Sequence, residues 1–198
     1  SLGLFKKIVD NFVVTYGVSE TIEGVENPVT GEDVVYTFSR PQNQGINELK
    51  GVELAIQHDF GESGFGFIAN ATLVETDKPF KTDQFDASAF IGFSDSANLI
   101  GYYDKDGIQA RIAYNWRDAF VEKFGHTYET TTGEPTQVKA YGQFDISASY
   151  DLTDTMTVFL EGINITSEET EKYSRFRDQF LYAQTNSARF SLGIRAAF

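Results

Sequence analysis

Few side chains in this chain could act as catalytic acids, bases or nucleophiles. It contains two histidines, His58 and His126, and no cysteine. A hydrolase of the Ser-His-acid type needs the three groups brought together, but His58 lies beside a predicted turn and His126 in a long predicted connection. Glu122 and Glu129 lie near His126 in sequence without forming a recognised motif. We therefore predict that the chain is not an enzyme and has no catalytic residues.

Metal and cofactor chemistry is also weakly represented. Without cysteine, zinc sites built on sulfur are excluded. The segment 20–33 carries five carboxylates and no Lys or Arg, namely Glu20, Glu23, Glu26, Glu32 and Asp33. Oxygen ligands of this kind bind divalent cations, but the segment lacks the regular ligand spacing of a calcium loop. We interpret it as a solvated acidic segment and predict no metal site and no cofactor.

Aromatic side chains mixed with polar residues between 120 and 141 point to a binding role. Aromatic rings beside hydrogen-bonding groups suit sugars, although Phe120 and Tyr141 are equally explained as membrane-interface residues. From this segment we predict that Phe124, His126 and Tyr128 line a substrate mouth.

Composition excludes several classes of partner and protein. The formal net charge of -13 argues against nucleic acid, because phosphate contacts need clustered Lys and Arg. Mean hydropathy is -0.29 and no stretch approaches the roughly 20 apolar residues of a membrane-spanning helix. Aromatic residues make up 15% of the chain, which suits the interface belts of a membrane barrel.

The last nine residues are the clearest structural signal. Phe190, Leu192, Ile194, Ala196 and Phe198 alternate with polar or small residues. A period of two predicts a strand with one apolar face. An aromatic at the end of such a strand is typical of an outer-membrane β-barrel, where it lies at the membrane interface.

The same alternation recurs along the chain. It predicts three hairpins joined by short turns: 51–60 with 65–73, 97–103 with 108–117, and 141–150 with 156–165. Strands at 2–16 and 188–198 bring the total to eight. The remaining connections are long and polar: about 18–47, 75–95, 118–140 and 166–187. Long loops of this kind argue against a compact soluble domain.

These features predict an all-β fold, an antiparallel up-and-down transmembrane β-barrel of about eight strands in this chain. The short turns then lie in the periplasm and the long connections outside the cell. The alternative is a soluble β-sandwich or a lipocalin-like barrel with the aromatic residues in its core.

Three segments resemble the end of a TonB-dependent outer-membrane receptor: Y-G-Q-F-D-I-S-A-S-Y-D-L-T-D at 141–154, V-F-L-E-G-I-N-I-T at 158–166, and the closing F-S-L-G-I-R-A-A-F. L-K-G-V-E-L-A at 49–55 and L-F-K-K-I-V-D-N-F-V at 4–13 are similar to earlier strands of that family. G-I-N-I-T at 162–166 and the run at 175–183 resemble its proteobacterial oligosaccharide-uptake branch. Beside that run, Tyr173 and Arg175 are further predicted mouth residues.

The resemblance implies more than this chain contains. Family members have a signal peptide, a TonB-interaction box, a plug domain and a 22-stranded barrel. We therefore expect residues 1–198 to be the C-terminal part of such a barrel, without a plug domain. The implied partners are outer-membrane lipid, the plug and TonB system of the parent protein, and a small-molecule or oligosaccharide ligand, with a siderophore or other metal chelate also possible.

The resemblance also assigns roles to strand residues. Inward-facing residues line the lumen of the barrel: Glu53, Arg111, Arg117, Asp145, Glu161, Arg189 and Arg195. A functional interpretation is that these residues contact the plug domain or line a substrate path. A simpler interpretation is that they are solvated charges or pair with one another. The closing strand is expected to carry the signal for the insertion machinery at Phe190, Leu192, Ile194 and Phe198.

Two functional hypotheses follow. In the first, the chain is part of a substrate-gated transport receptor of the bacterial outer membrane. The second is a complete small eight-stranded outer-membrane barrel with a structural or adhesive role.

Overall fold

A computed structural model describes residues 1–43, 45–83, 90–124 and 134–197. Within these ranges the chain is all-β apart from a 3-10 turn at Gly61–Ser63, and no helix is long and apolar enough to cross a membrane. The strands are β1 (Leu2–Val9), β2 (Val13–Glu26), β3 (Asp33–Asn43), β4 (Asn47–Asp59), β5 (Phe65–Thr76), β6 (Ser96–Lys105), β7 (Ile108–Arg117), β8 (Phe120–Phe124), β9 (Pro135–Val138), β10 (Tyr141–Thr153), β11 (Met156–Ile163), β12 (Thr170–Tyr173), β13 (Phe180–Gln184) and β14 (Arg189–Ala196).

Eight of these strands form one antiparallel sheet in the order β1-β4-β5-β6-β7-β10-β11-β14. These are the eight predicted strands in their predicted sequential order, so the all-β antiparallel fold class is confirmed. In the described part of the chain, β1 and β14 are unpaired edges and the sheet does not close into a barrel.

Short turns join the strands at one end of this sheet, as predicted. Between β6 and β7, Lys105 pairs with Ile108 across Asp106 and Gly107, whose φ angles are 55° and 74°. Positive φ at both central positions is the type I′ geometry that suits the twist of a hairpin. Between β4 and β5, Gly64 leaves the 3-10 turn in the left-handed conformation at φ 82°.

The predicted strand at 2–16 is wrong beyond Val9. Asn11 has a φ of 56°, a left-handed conformation that Asn tolerates better than most residues, and the extended chain is interrupted there. Val13–Glu26 then belongs to β2, which pairs with β3 in a separate two-stranded sheet.

Three of the four predicted long connections contain strands. The connection at 18–47 holds most of the β2–β3 hairpin, and the connections at 118–140 and 166–187 hold β8, β9, β12 and β13. The last four form a second sheet in the order β13-β12-β9-β8, which we call the outer sheet. Each strand has only four or five residues, too few for alternation to be recognised, and strands from the two connections pair across the sequence.

Candidate functional site

The eight-stranded sheet has one face of apolar side chains, which we call the apolar face. The register aligns them across strands, as in the row Phe65, Tyr103, Ala110, Ala148, Leu160 and Leu192. Many of these side chains are unusually exposed, with Leu4 at 78% and Leu192 at 77%. Contiguous exposed apolar surface of this extent is unfavourable in water and is typical of a surface that interacts with a membrane or another protein.

The opposite, polar face carries all seven charged residues that the sequence analysis assigned to a lumen. The register places them between the apolar rows: Glu53, Arg111, Arg117, Asp145, Glu161, Arg189 and Arg195. Their surroundings differ. Arg117 donates to the Ser94 hydroxyl at 2.9 Å and the Gly92 carbonyl at 2.5 Å, and its guanidinium lies 3.8 Å from the centre of the Phe120 ring.

Asp145 is the centre of a hydrogen-bond network on the polar face. Its carboxylate accepts from the Asn115 amide at 3.3 Å, the Gln143 amide at 2.6 Å and the Asn164 backbone N–H at 2.8 Å. Asn164, whose side chain is buried, donates in turn to the carbonyls of Glu168 and Asn186 at 3.0 and 2.5 Å. The network therefore connects the sheet to the segments leading into β12 and β14.

Two shallow grooves follow the polar face, with volumes of about 510 and 370 Å³. Arg111, Ser147 and Glu161 line both, so the grooves meet at these residues. The larger groove continues toward the short-turn end, where its lining includes Tyr102 and Arg195. Tyr102 donates a hydrogen bond to Asp59, and its ring covers Gly66, where an added Cβ would lie 2.3 Å from the ring.

The outer sheet presents aromatic rings beside paired charges. Lys172 on β12 bonds both oxygens of Glu122 on β8, at 2.6 and 2.8 Å, and its ammonium group lies 5.3 Å from the centre of the Tyr182 ring. The Tyr182 hydroxyl donates to Gln184 at 3.0 Å. Phe180, on the same edge strand, is 63% exposed. These groups offer ring surface, donors and acceptors on three strands of the outer sheet, β8, β12 and β13.

One buried arginine joins three connections at the long-connection end of the sheet. Arg175 is 3% exposed, and its Nε donates to both carboxylate oxygens of Glu134 at 3.0 and 3.2 Å. Its Nη1 donates to the Thr82 carbonyl at 3.0 Å, and its guanidinium lies 5.7 Å from the Phe80 ring centre. The Gln137 amide donates to the Ser174 and Arg175 carbonyls, which fixes the backbone that carries this side chain.

The second described part of the β5–β6 connection, residues 90–95, is attached to the segments around β8. The Gly92 N–H donates to the Val121 carbonyl at 2.8 Å, and the Asp118 N–H to the Asp95 carbonyl at 2.9 Å. Near the start of the sheet, the Phe90 ring lies 5.0 Å from that of Phe12. Together with the Arg175 contacts, these bonds join the outer sheet to the eight-stranded sheet.

The predicted mouth residues fall into two groups. His126 and Tyr128 lie outside the described residues. Phe124 ends β8 and packs 6.4 Å from the Phe80 ring, while Tyr173 is 6% exposed. The side chains of Tyr173 and Arg175 are buried, and substrate contact by any of the five residues remains a prediction.

Sequence reasoning missed the more exposed groups of the outer sheet. Phe180 and Tyr182 stand two residues apart in F-L-Y-A-Q, a short alternation that is visible in the sequence. Nothing in the sequence indicated that Lys172 pairs with Glu122, 50 residues away.

The predicted assembly residues lie on β14. Phe190, Leu192 and Ile194 point to the apolar face and pair with Gly162, Leu160 and Val158. Their exposures are 61, 77 and 63%. Phe198 lies outside the described residues, and the role of the four residues in assembly stays a prediction.

Among the described residues, the side chains considered for chemistry do not form a reactive cluster, while His126 and Glu129 lie outside the described ranges. His58 lies on the apolar face of β4, where its ring packs 4.8 Å from that of Phe60 in an edge-on arrangement. In the acidic segment, Glu20 pairs with Arg40 across the β2–β3 hairpin at 2.5 Å. Across the described ranges, no group of three or more His, Cys, Asp or Glu side chains could hold a metal ion.

Comparison with known proteins gives one match. The family model described as "TonB dependent receptor-like, beta-barrel" matches residues 1–165, which is most of the chain and includes the first eleven of the fourteen strands in the described residues, β1 to β11. No curated protein and no solved structure matches the chain.

Proposed function

We propose a transport function on the premise that this chain belongs to the family of TonB-dependent receptor-like β-barrels. Barrel domains of this family are bacterial outer-membrane proteins, and the family consists of receptors and transporters rather than enzymes. In this proposal residues 1–198 form part of the wall of such a receptor. The apolar face contacts outer-membrane lipid, and the polar face lines the lumen.

The division of the sheet into two faces carries this proposal. An apolar row such as Phe65 to Leu192 suits lipid, while the charges and amides of the polar face need water or other polar groups. The unpaired edges of β1 and β14 favour a larger barrel over a complete eight-stranded one, because lipid cannot satisfy open strand edges. The rest of the wall, the plug domain and the TonB system are then partners supplied by the parent protein.

We further propose that the outer sheet takes part in binding a ligand outside the cell, and that an oligosaccharide is the favoured class. The support is chemical: the exposed Tyr182 ring lies beside Lys172 of the Lys172–Glu122 pair and bonds the Gln184 amide, and the exposed Phe180 is on the same strand. Rings bind the apolar faces of sugars, and these polar groups match their hydroxyls. A ferric siderophore or other metal chelate is the competing class.

Binding and uptake by the full-length receptor test this function. In a strain lacking the native gene, cells producing the receptor are expected to bind at least one radiolabelled oligosaccharide from a panel of maltoheptaose, xylohexaose and cellohexaose. Uptake is expected to stop when TonB is deleted while surface binding persists. If the cells bind ferrichrome and none of the oligosaccharides, the ligand class is a ferric siderophore instead of an oligosaccharide. Uptake that does not depend on TonB would contradict the receptor function.

The outer-sheet rings supply a sharper expectation. Tyr182→Ala is expected to raise the Kd of the bound oligosaccharide roughly two- to twelvefold, the equivalent of the ~0.5–1.5 kcal/mol of a ring contact. The matched control is Phe65→Ala, which removes a ring of the apolar face at the short-turn end. Equal Kd values for Tyr182→Ala and Phe65→Ala would show that Tyr182 does not contact the ligand.

A further inference from the structure

We propose that Arg111 and Glu161 form a clamp on the polar face that binds a neutral, polyhydroxylated ligand during its passage, an inference that rests on the transport function proposed above. The two residues lie in one cross-strand row. Arg111 pairs with Ser147, and Ser147 pairs with Glu161. Since neighbouring strands lie roughly 4.8 Å apart, the two Cα atoms are about 10 Å apart with a serine between them.

Both side chains are available for a ligand. Each is exposed, and within the described part of the chain neither forms an ion pair. Two other charged residues of the polar face differ in this respect: Arg117 is bonded to Ser94 and Gly92, and Asp145 accepts three hydrogen bonds. A guanidinium and a carboxylate on either side of a serine hydroxyl therefore remain open toward the same space.

The clamp lies where the two grooves of the polar face meet. On one side the groove is lined by Asn115 and Asp145, toward the long-connection end of the sheet. On the other side it is lined by Asp151 and Arg195, toward the short turns. A molecule that follows the polar face from one end to the other passes the Arg111–Glu161 row.

The lining selects a class of ligand. Guanidinium groups only donate hydrogen bonds and carboxylates only accept them, whereas a hydroxyl does both. The larger groove combines Arg111 and Arg195 with three carboxylates, those of Asp104, Asp151 and Glu161. An anionic chelate would meet three like charges there, while the hydroxyls of a neutral sugar would find partners of both kinds.

Transport kinetics of the full-length receptor test the clamp. The variants are Arg111→Met and Glu161→Gln, with Lys7→Met as the matched control, because Lys7 is an exposed cation that the register of β1 places on the same face and that lines neither groove. The probe is the oligosaccharide of the panel that the parent receptor binds, and rates are normalised to folded receptor. We expect the uptake rate to fall about tenfold in each clamp variant, to be unchanged in the control, and surface Kd to stay within twofold in all three.

Other outcomes are distinguishable. Uptake by the clamp variants equal to that of Lys7→Met overturns the clamp and leaves the transport function standing. Increased entry of vancomycin in Arg111→Met assigns the residue to sealing the lumen and also overturns the clamp. If the parent binds none of the oligosaccharides, the proposed ligand class fails and the clamp fails with it. Partial recovery of uptake in Arg111→Lys and Glu161→Asp supports direct hydrogen bonding.

Discussion

The substitution Ile112→Arg is expected to destabilise the assembled barrel by about 2–4 kcal/mol, the usual penalty for a cation near the midplane on a lipid-facing surface. Ile112 lies in the middle of β7 on the apolar face, between Gly101 and Ile146, and is 48% exposed. An arginine there has no polar partner in its row. The measurement is the denaturant dependence of unfolding of the full-length receptor in lipid vesicles.

The neighbouring residue provides the control. Arg111→Ala removes a cation from the polar face, where water or polar groups replace its contacts, and is expected to cost less than Ile112→Arg. A reversed order would show that the register is wrong by one residue, since a one-residue shift exchanges the two faces of a strand.

Loss of the Arg175 guanidinium is expected to destabilise the outer sheet and its attached connections by roughly 3–5 kcal/mol. In Arg175→Met the Glu134 carboxylate, whose side chain is only 19% exposed, loses its cation and stays largely buried. The Thr82 carbonyl loses a donor as well. Local opening should therefore become much more frequent while the eight-stranded sheet stays intact.

Limited proteolysis of intact cells measures this effect. Cleavage within the connections at 77–83 and 166–187 is expected to rise more than a hundredfold in Arg175→Met, while the barrel keeps its heat-modifiable migration. Arg40→Met is the matched control, because the Arg40–Glu20 pair is exposed at 52 and 38% and such pairs contribute about 0–1 kcal/mol.

The double variant Arg175→Met/Glu134→Met separates the ion pair from simple packing. Replacing both charges of a buried pair by apolar groups is often close to neutral, so it should recover most of the protection. Equal proteolysis of Arg175→Met and Arg40→Met would show that the Arg175 contacts do not hold the connections together.

The eight-stranded sheet could be predicted from the sequence because its strands carry their own signal. Alternation at Ile108, Ile112 and Trp116 and the Asp106-Gly107 turn are local features, and each hairpin needs only its own residues. The end of β1 was missed because the interruption depends on the backbone conformation of Asn11, which alternation does not report.

The outer sheet could not be predicted because its pairings are distant in sequence. β9 pairs with β8 on one side and β12 on the other, and each strand is too short to show a period. The charged residues themselves can be read from the sequence, but Glu134, the partner of Arg175, lies 41 residues away. Arg175 is also buried, so it links connections instead of being exposed to a ligand, and its burial cannot be read from the sequence.

The orientation of the two faces of the sheet is directly measurable by cysteine labelling, because these 198 residues contain no cysteine of their own. Single cysteines in the full-length receptor would replace Ile112, Leu160 and Leu192 on the apolar face, and Arg111, Ser147 and Glu161 on the polar face. Each would carry a nitroxide label in lipid vesicles. We expect high collision rates with oxygen and low rates with a water-soluble nickel chelate at the first three positions, and low oxygen collision rates at the other three. Similar oxygen collision rates on both faces, or the opposite assignment, would contradict the account.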